Sequence, residues 1–173
     1  MKKKADRFLE LFAPHKSKLW RFCLSISRTR ENAQDLLQDT IEVAFQKYEQ
    51  LVSPEAFLSY LFTIASRLNY RMLEQAKAYC PISEDLIESL ISSEASPEDR
   101  IDIQIMYQCL DTMKYEYKEA IVLIELMGLS HSDAAEIQGI TIDAIRKRLY
   151  RGKEMLRELM NPKPQEIIKN NKE

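Results

Sequence analysis

The sequence predicts an all-α protein of two small helical domains joined by an acidic linker, the second a helix-turn-helix domain. Three observations lead there. Apolar residues recur at spacings of three and four along most of the chain. Only three glycines occur in 173 residues, Gly128, Gly139 and Gly152, whereas strand-rich folds lean on glycine at turns and bulges. No alternation of strand-like and helix-like segments is present from which a parallel sheet would be built. With 45% apolar and 30% charged residues the chain reads as globular rather than disordered.

The first domain is expected over residues 1–80. Asp6 to Ala13 and Pro14 to about Arg28 read as two helices or one kinked helix, because Pro14 suits a first helical position and Leu19, Phe22, Cys23 and Ile26 then repeat along one face. Glu31 to about Tyr48 follows with two distinct sides. Ala33, Leu36, Leu37, Thr40, Ile41, Ala44 and Phe45 form a core stripe, while Asp35, Gln38, Asp39 and Glu42 line up as an acidic ridge. Such a ridge is either solvated surface or a surface made for a basic partner. Ser53-Pro54 reads as an N-cap with proline in the first turn. It opens a long helix through Phe57, Leu61, Ile64, Ala65, Leu68 and Met72, which Cys80-Pro81 ends because the residue before proline is driven out of the helical region.

Residues 81–96 read as the linker. The stretch ISEDLIESLISSEAS holds one short helix around Leu86, Ile87, Leu90 and Ile91 and otherwise reads as an acidic tether. The second domain, 97–161, starts with a capping box at Ser96 and Asp99. Its helices run from Ile101 to Met113, from Tyr115 to Met127 with a stop at Gly128, from Ser130 to Gln138 with a stop at Gly139, and from Thr141 to about Met160. Residues 162–173, rich in lysine with Pro162 and Pro164, read as a flexible tail.

Several function classes are set aside by residue type. His15 and His131 are isolated, no nucleophile stands near a base by spacing, and no Gly-rich phosphate loop exists, so the chain is not expected to be an enzyme or to take a small-molecule substrate. Cys23, Cys80 and Cys109 are odd in number and widely spaced, which indicates neither a disulfide framework nor a zinc site; no metal or cofactor is expected. No apolar run is long enough for export or membrane spanning, and the expected location is cytoplasmic.

Charge is more informative in its distribution than in its sum of −2. Ser83 to Asp102 carries seven acidic residues against Arg100, and Arg146 to Arg157 carries six basic residues against Glu154. The basic segment belongs to LSHSDAAEIQGITIDAIRKRLYRGKEML, which has the form of a helix-turn-helix: a short capped helix, a turn at Gly139-Ile140, and a capped helix with Ile145, Leu149 and Leu156 inward. Arg146, Lys147, Tyr150, Arg151 and Lys153 project from its outer face, where arginines suit base edges and lysines suit phosphates. A solvated cationic helix is the plainer reading; the preceding helix and the glycine turn favour DNA. On the long helix from Pro54, Tyr60, Thr63, Arg67, Tyr70 and Arg71 fall together opposite the apolar stripe. That mixture suits unstacked single-stranded bases, or equally two tyrosines at the rim of a core with flanking charges.

Taken in order, these segments resemble the extracytoplasmic-function (group IV) sigma factors of the sigma-70 family over about Asp6 to Met160. DLLQDT at Asp35 to Thr40 is similar to that family's polymerase-binding helix, FLSYLFTIASRLNYR at Phe57 to Arg71 to its minus-ten promoter-melting helix, and Leu129 to Leu156 to its minus-thirty-five reader. The resemblance implies a factor that binds core RNA polymerase, directs it to promoters and helps melt the minus-ten element to start transcription. It places Asp35, Leu36, Gln38, Asp39 and Glu42 against polymerase. It places Tyr60, Arg67, Asn69, Tyr70 and Arg71 along the melted strand, and Arg146, Lys147, Tyr150 and Arg151 on the upstream duplex. The loop Glu49 to Ser53 would help hold a flipped base, and the family often adds an anti-sigma factor as a further partner.

The chain also departs from the family. Tyr60, Ser66 and Arg67 stand where Trp, Arg and Asn are frequent, Lys114 replaces a frequent Pro, and Ala134 and Gln138 replace larger apolar residues. Ile142-Asp143-Ala144 replaces a more usual Glu-Gly-Thr at the reading end of the recognition helix. A self-sufficient helix-turn-helix regulator, with a sensing or dimerisation domain at its N-terminus, is the alternative reading. It accounts for the basic helix but gives the acidic ridge no partner.

Overall fold

The structure is a computed structural model that describes residues 2–51, 53–76 and 78–162; residues 163–173, most of the segment read as a flexible tail, lie outside the described residues. All regular structure among the described residues is helical. Helix α1 (Lys2–Phe12) meets a 3-10 turn at Ala13–His15, with Pro14 inside it, and α2 (Lys16–Ile26) follows. This is the kinked pair the proline predicts. α3 (Arg30–Lys47) begins at Thr29, whose hydroxyl accepts from the Asn32 amide at 3.1 Å.

The next helix departs from expectation at both ends. Ser53 makes no capping bond to backbone; its hydroxyl donates to Glu55, Pro54–Ala56 forms a 3-10 turn, and α4 starts at Phe57. α4 (Phe57–Gln75) also stops well before Cys80-Pro81, because Ala76 takes ψ 120 and leaves the helical region. The chain then turns so that Tyr79 reaches α6, a long-range contact that local spacing does not encode.

The first domain closes on an aromatic core. Phe8 packs edge-on to Phe45 at 5.3 Å and to Tyr48 at 5.2 Å, and Phe22 stacks on Phe62 at 4.3 Å. Leu19, Phe22, Leu36, Leu61, Phe62 and Ala65 are fully buried. The leucines and phenylalanines among them each contribute roughly 1.5–3 kcal/mol of transfer free energy, which is what holds α2, α3 and α4 together.

The acidic segment is packed and is not a free tether. α5 (Glu84–Leu90) sinks Leu86, Ile87 and Leu90 against α2, while its carboxylates stay outside, and the Ser83 amide donates to the Arg28 carbonyl at 2.8 Å. α6 (Pro97–Thr112) starts at the expected cap, with the Ser96 hydroxyl accepting from the Asp99 amide at 3.1 Å. α7 (Tyr115–Ile121) runs into a single π-helical turn, Val122–Leu126, where an ordinary α-helix is expected to continue to Met127. The Leu129 amide bonds back to the Leu123 carbonyl at 3.0 Å, past the left-handed Gly128 at φ +69. α8 (His131–Gln138) and α9 (Ile142–Met160) complete the order.

Apolar contacts run without a break from the first domain into the second, and polar pairs stitch the junction. Asp111, at the end of α6, is buried and accepts from Arg28 Nε at 3.0 Å, from the Tyr79 hydroxyl at 2.8 Å and from the Ile82 amide at 3.2 Å. The Arg28 guanidinium also lies 4.6 Å from the Tyr79 ring centre. Ser25 and Tyr107 share a hydrogen bond at 3.4 Å. No helix among the described residues is long and apolar enough to cross a membrane. All three cysteines are free, and burial pushes the Cys23 thiol up to about 12.

Lys118 offers a test of this junction. It is buried 3.8 Å from Asp111, and burial pushes its amine from 10.5 down to about 8, with Asp111 pulling upward and Arg28 adding to the depression. Between pH 8 and 10.5 the unfolded chain therefore binds more protons at this residue than the folded one, so its contribution to stability rises with pH across that window. Chemical denaturation should show the wild type gaining about 1–2 kcal/mol relative to Lys118→Met between pH 7.5 and about 9.5. A pH-independent difference between the two proteins would contradict the buried placement of the amine.

Candidate functional site

Three exposed faces on three helices carry the residues singled out from the sequence. On α3, Asp35, Gln38, Asp39 and Glu42 are all exposed, and none of the three carboxylates forms an ion pair among the described residues. Leu36 is different. At 0% exposure it is wholly inside the core, as its place in the apolar stripe predicts, so it supports the ridge from beneath and is not the surface contact that the resemblance implies. Beside the ridge lies an apolar groove of about 380 Å³ between α1 and α3, lined by Phe8, Leu9, Ile41 and Phe45, with Leu9 58% exposed.

On α4, Arg67, Tyr70 and Arg71 are exposed along one side. Asn69 is not. It is 4% exposed and its amide donates to the Ile26 carbonyl at 3.3 Å, because it continues the inward stripe of Phe62 and Ser66 at helical spacing. Its expected place on the melted strand is therefore overturned in this arrangement. Tyr60 is half-buried against Phe57, with its hydroxyl enclosed and without a hydrogen-bond partner. The Tyr70 phenol is pushed up chiefly by its hydrogen bond to Glu74.

The helix-turn-helix is built as its sequence reads. The Ser130 hydroxyl caps α8 by accepting from the Asp133 amide at 3.0 Å, and the Thr141 hydroxyl caps α9 by accepting from the Ala144 amide at 3.2 Å. Between them Gly139 adopts φ +65, a left-handed turn in which a side chain would be strained, and the Ile140 amide bonds back to the Ala135 carbonyl at 3.0 Å. Ile145 and Leu149 face inward. Gly152 lets α9 approach α7, since a Cβ there would stand 3.3 Å from Ile121 Cδ1 and 3.4 Å from the Tyr117 carbonyl oxygen. Arg146, Lys147, Tyr150 and Arg151 remain exposed on the outer face, with Arg146 Nη1 3.6 Å from Asp143. Lys153 instead bonds to Glu125 on the π-turn at 2.8 Å.

A polar chain that the sequence did not disclose links the second and third faces. Glu119 on α7 is buried, and its carboxylate accepts from the Ser66 hydroxyl on α4, from the Tyr115 hydroxyl at 2.8 Å and from Gln138 Nε2 at 3.0 Å. Gln138 Oε1 in turn accepts from Arg148 Nη1 at 2.9 Å. Burial pushes the Glu119 carboxyl up, and the three hydrogen bonds and the nearby Arg148 pull it back. A sequence-level mark did exist: Lys118-Glu119 stands immediately before the apolar run AIVLI, where a polar pair has to be buried with it. Among the described residues no cluster of three His, Cys, Asp or Glu is placed to hold a metal ion. The arrangement offers one anionic surface, one cationic helix and one aromatic-cationic helix, all suited to binding.

Comparison with known proteins agrees with this layout. Residues 11–79 match the family model described as Sigma-70 region 2, and residues 103–156 match Sigma-70, region 4, together well over half of the chain. RNA polymerase sigma factor SigV of Bacillus subtilis (strain 168) is 27% identical over 143 residues, covering 83% of this chain and 84% of that protein. RNA polymerase sigma factor CarQ of Myxococcus xanthus is 29% identical over 170 residues, 95% of each. Among solved structures, the sigma factor RpoE in complex with the anti-sigma factor NepR from Bartonella quintana superposes with a TM-score of 0.69 at 25% identity, covering 92% of this chain and 98% of that one. The match over residues 11–79 gives no support to a sensing domain at the N-terminus, and the chain belongs to the sigma-70 family as an RNA polymerase sigma factor of the extracytoplasmic-function type.

Proposed function

We propose that the exposed ridge of α3, Asp35, Gln38, Asp39 and Glu42, is where this sigma factor engages core RNA polymerase, and that promoter DNA is shared between two other faces. Arg67, Tyr70 and Arg71 of α4, with the edge of Tyr60, take the melted minus-ten strand by stacking and backbone contacts. Arg146, Lys147, Tyr150 and Arg151 of α9 take the duplex upstream element. Residues 1–80 and 97–161 act as the two binding domains and 81–96 as the connection between them. The chain acts by binding, in the cytoplasm beside polymerase and DNA, without chemistry of its own.

The observation that supports this division best is the segregation of charge: an anionic face on α3 with no ion pair among the described residues and an exposed cationic face on α9. The solved relative bound to NepR supports adding an anti-sigma factor as a competitor for the polymerase-facing surface. Such an inhibitor would use the ridge and the neighbouring Leu9 groove. Run-off transcription with reconstituted core polymerase is the direct test, since promoter-specific transcripts should appear only when this chain is added.

Two variant pairs separate the roles. Asp35→Lys with Asp39→Lys should weaken core binding at least about tenfold in a pull-down or fluorescence titration, with helical content unchanged, because both carboxylates are exposed. Arg146→Ala with Arg151→Ala should leave core binding intact and lower promoter use, each lost bidentate base contact being worth about 1–3 kcal/mol. Identical behaviour of the two pairs would remove the assignment of α3 to polymerase and α9 to DNA.

A further inference from the structure

We propose that the cleft between α4, α7 and the helix-turn-helix is a binding site for a free guanine nucleotide carrying two or more phosphates. The cleft has a volume of about 560 Å³, within the roughly 300–1,000 Å³ of small-ligand pockets. Its α4 side chains Arg67, Tyr70 and Arg71 are exposed, so a ligand reaches them without any movement of the domains. The site is separate from the acidic ridge of α3 and goes beyond the promoter assignment.

The lining has two chemically different ends. Arg67, Tyr70, Arg71 and Glu74 share one stripe of α4, and the helix rises about 10 Å from Arg67 to Glu74, close to the span from a purine's outer edge to a β-phosphate. Toward Glu74 the end is aromatic and acidic. Tyr70 presents a ring that is 52% exposed, and Tyr115 backs it with 6.4 Å between ring centres. The Tyr115 hydroxyl is tied to Glu119 at 2.8 Å, which fixes this platform. Glu74 accepts from the Tyr70 phenol, and Glu116 stands near enough to the same phenol to push it up further. Toward Arg67 the end is cationic. Ser66, next to Arg67, meets Glu119, and Glu119 meets Gln138, which holds Arg148 at 2.9 Å; this chain of contacts brings Arg67 and Arg148 to the same end.

Each end selects its own part of the ligand. None of Arg67, Arg71 and Arg148 forms an ion pair among the described residues, although three carboxylates share the lining. Glu119 has both oxygens met by Ser66, Tyr115 and Gln138, and Arg148 spends one N–H on Gln138 while keeping the rest of its fork. Guanidiniums without carboxylate partners, one of them held in place, suit a di- or triphosphate. At the aromatic end the base stacks on Tyr70, which any base can do, so the choice of base falls to the exposed carboxylate of Glu116. Guanine sets its N1–H and N2–H donors side by side, matching the two oxygens of a carboxylate. Adenine sets its N1 acceptor beside its amino group and meets the same carboxylate with opposed lone pairs. Because Arg67, Tyr70 and Arg71 belong to this lining and are also the residues assigned to the melted strand, nucleotide and strand exclude each other.

The test uses the full chain without polymerase or DNA, so its outcome does not depend on the strand assignment of α4. Isothermal titration calorimetry compares GDP, ADP, guanosine and inorganic pyrophosphate. GDP should bind saturably, and the other three at least about tenfold more weakly. Glu116→Gln, at an exposed position, should bring GDP and ADP within about threefold of each other, because an amide can donate to adenine N1 and accept from its amino group. Arg148→Lys, which keeps the charge and loses the planar fork, should weaken GDP at least about fivefold. No saturable GDP binding up to about 1 mM overturns the site, as does pyrophosphate binding as tightly as GDP. A preference for guanine that survives Glu116→Gln, or GDP affinity indifferent to Arg148→Lys, overturns it equally. Wild-type run-off transcription without added GDP judges the sigma-factor reading separately, so the one can fail while the other stands.

Discussion

A buried carboxylate has to be met by donors, and that constraint organises the junction of this molecule. Asp111 gathers the guanidinium of Arg28 from the end of α2, the phenol of Tyr79 and the amide of Ile82 from the chain beyond α4. The donors come from two separate stretches, so satisfying one side chain on α6 fixes how these three segments meet. α4 ends at Gln75 and the connecting chain turns back because Tyr79 and Ile82 are needed there. Lys118 adds a basic group at 3.8 Å, and its burial pushes the amine down to about 8. Glu119 repeats the same logic one residue later on α7, with Ser66, Tyr115 and Gln138 as donors.

With the junction fixed, the exposed faces follow from helical geometry. α9 turns Ile145, Leu149 and Gly152 inward, and Gly152 sets how closely it lies on α7. Its arginines, except Arg148, are thereby left outward. Arg148 is held back by Gln138, so it positions the helix relative to α8 and is not free for DNA in this arrangement. On α3 the same geometry buries Leu36 and exposes its neighbour Asp35.

Much of this was legible in the sequence because it is local. The caps at Ser96, Ser130 and Thr141, the turn at Gly139 and the break at Pro14 each depend on a few adjacent residues, and each is present. The amphipathic stripes of α3 and α9 also follow from periodicity. What was not legible depends on residues far apart in the chain. Asn69, placed on the melted strand by resemblance and not by helical spacing, faces Ile26 across 43 positions, and Ser66 meets Glu119 across 53. The acidic linker looked like a tether because it carries carboxylates and serines with no basic residue; Leu86, Ile87 and Leu90 were enough to bury one side of it on α2. The π-turn at Val122–Leu126 carries no sequence signal that separates it from an α-helix.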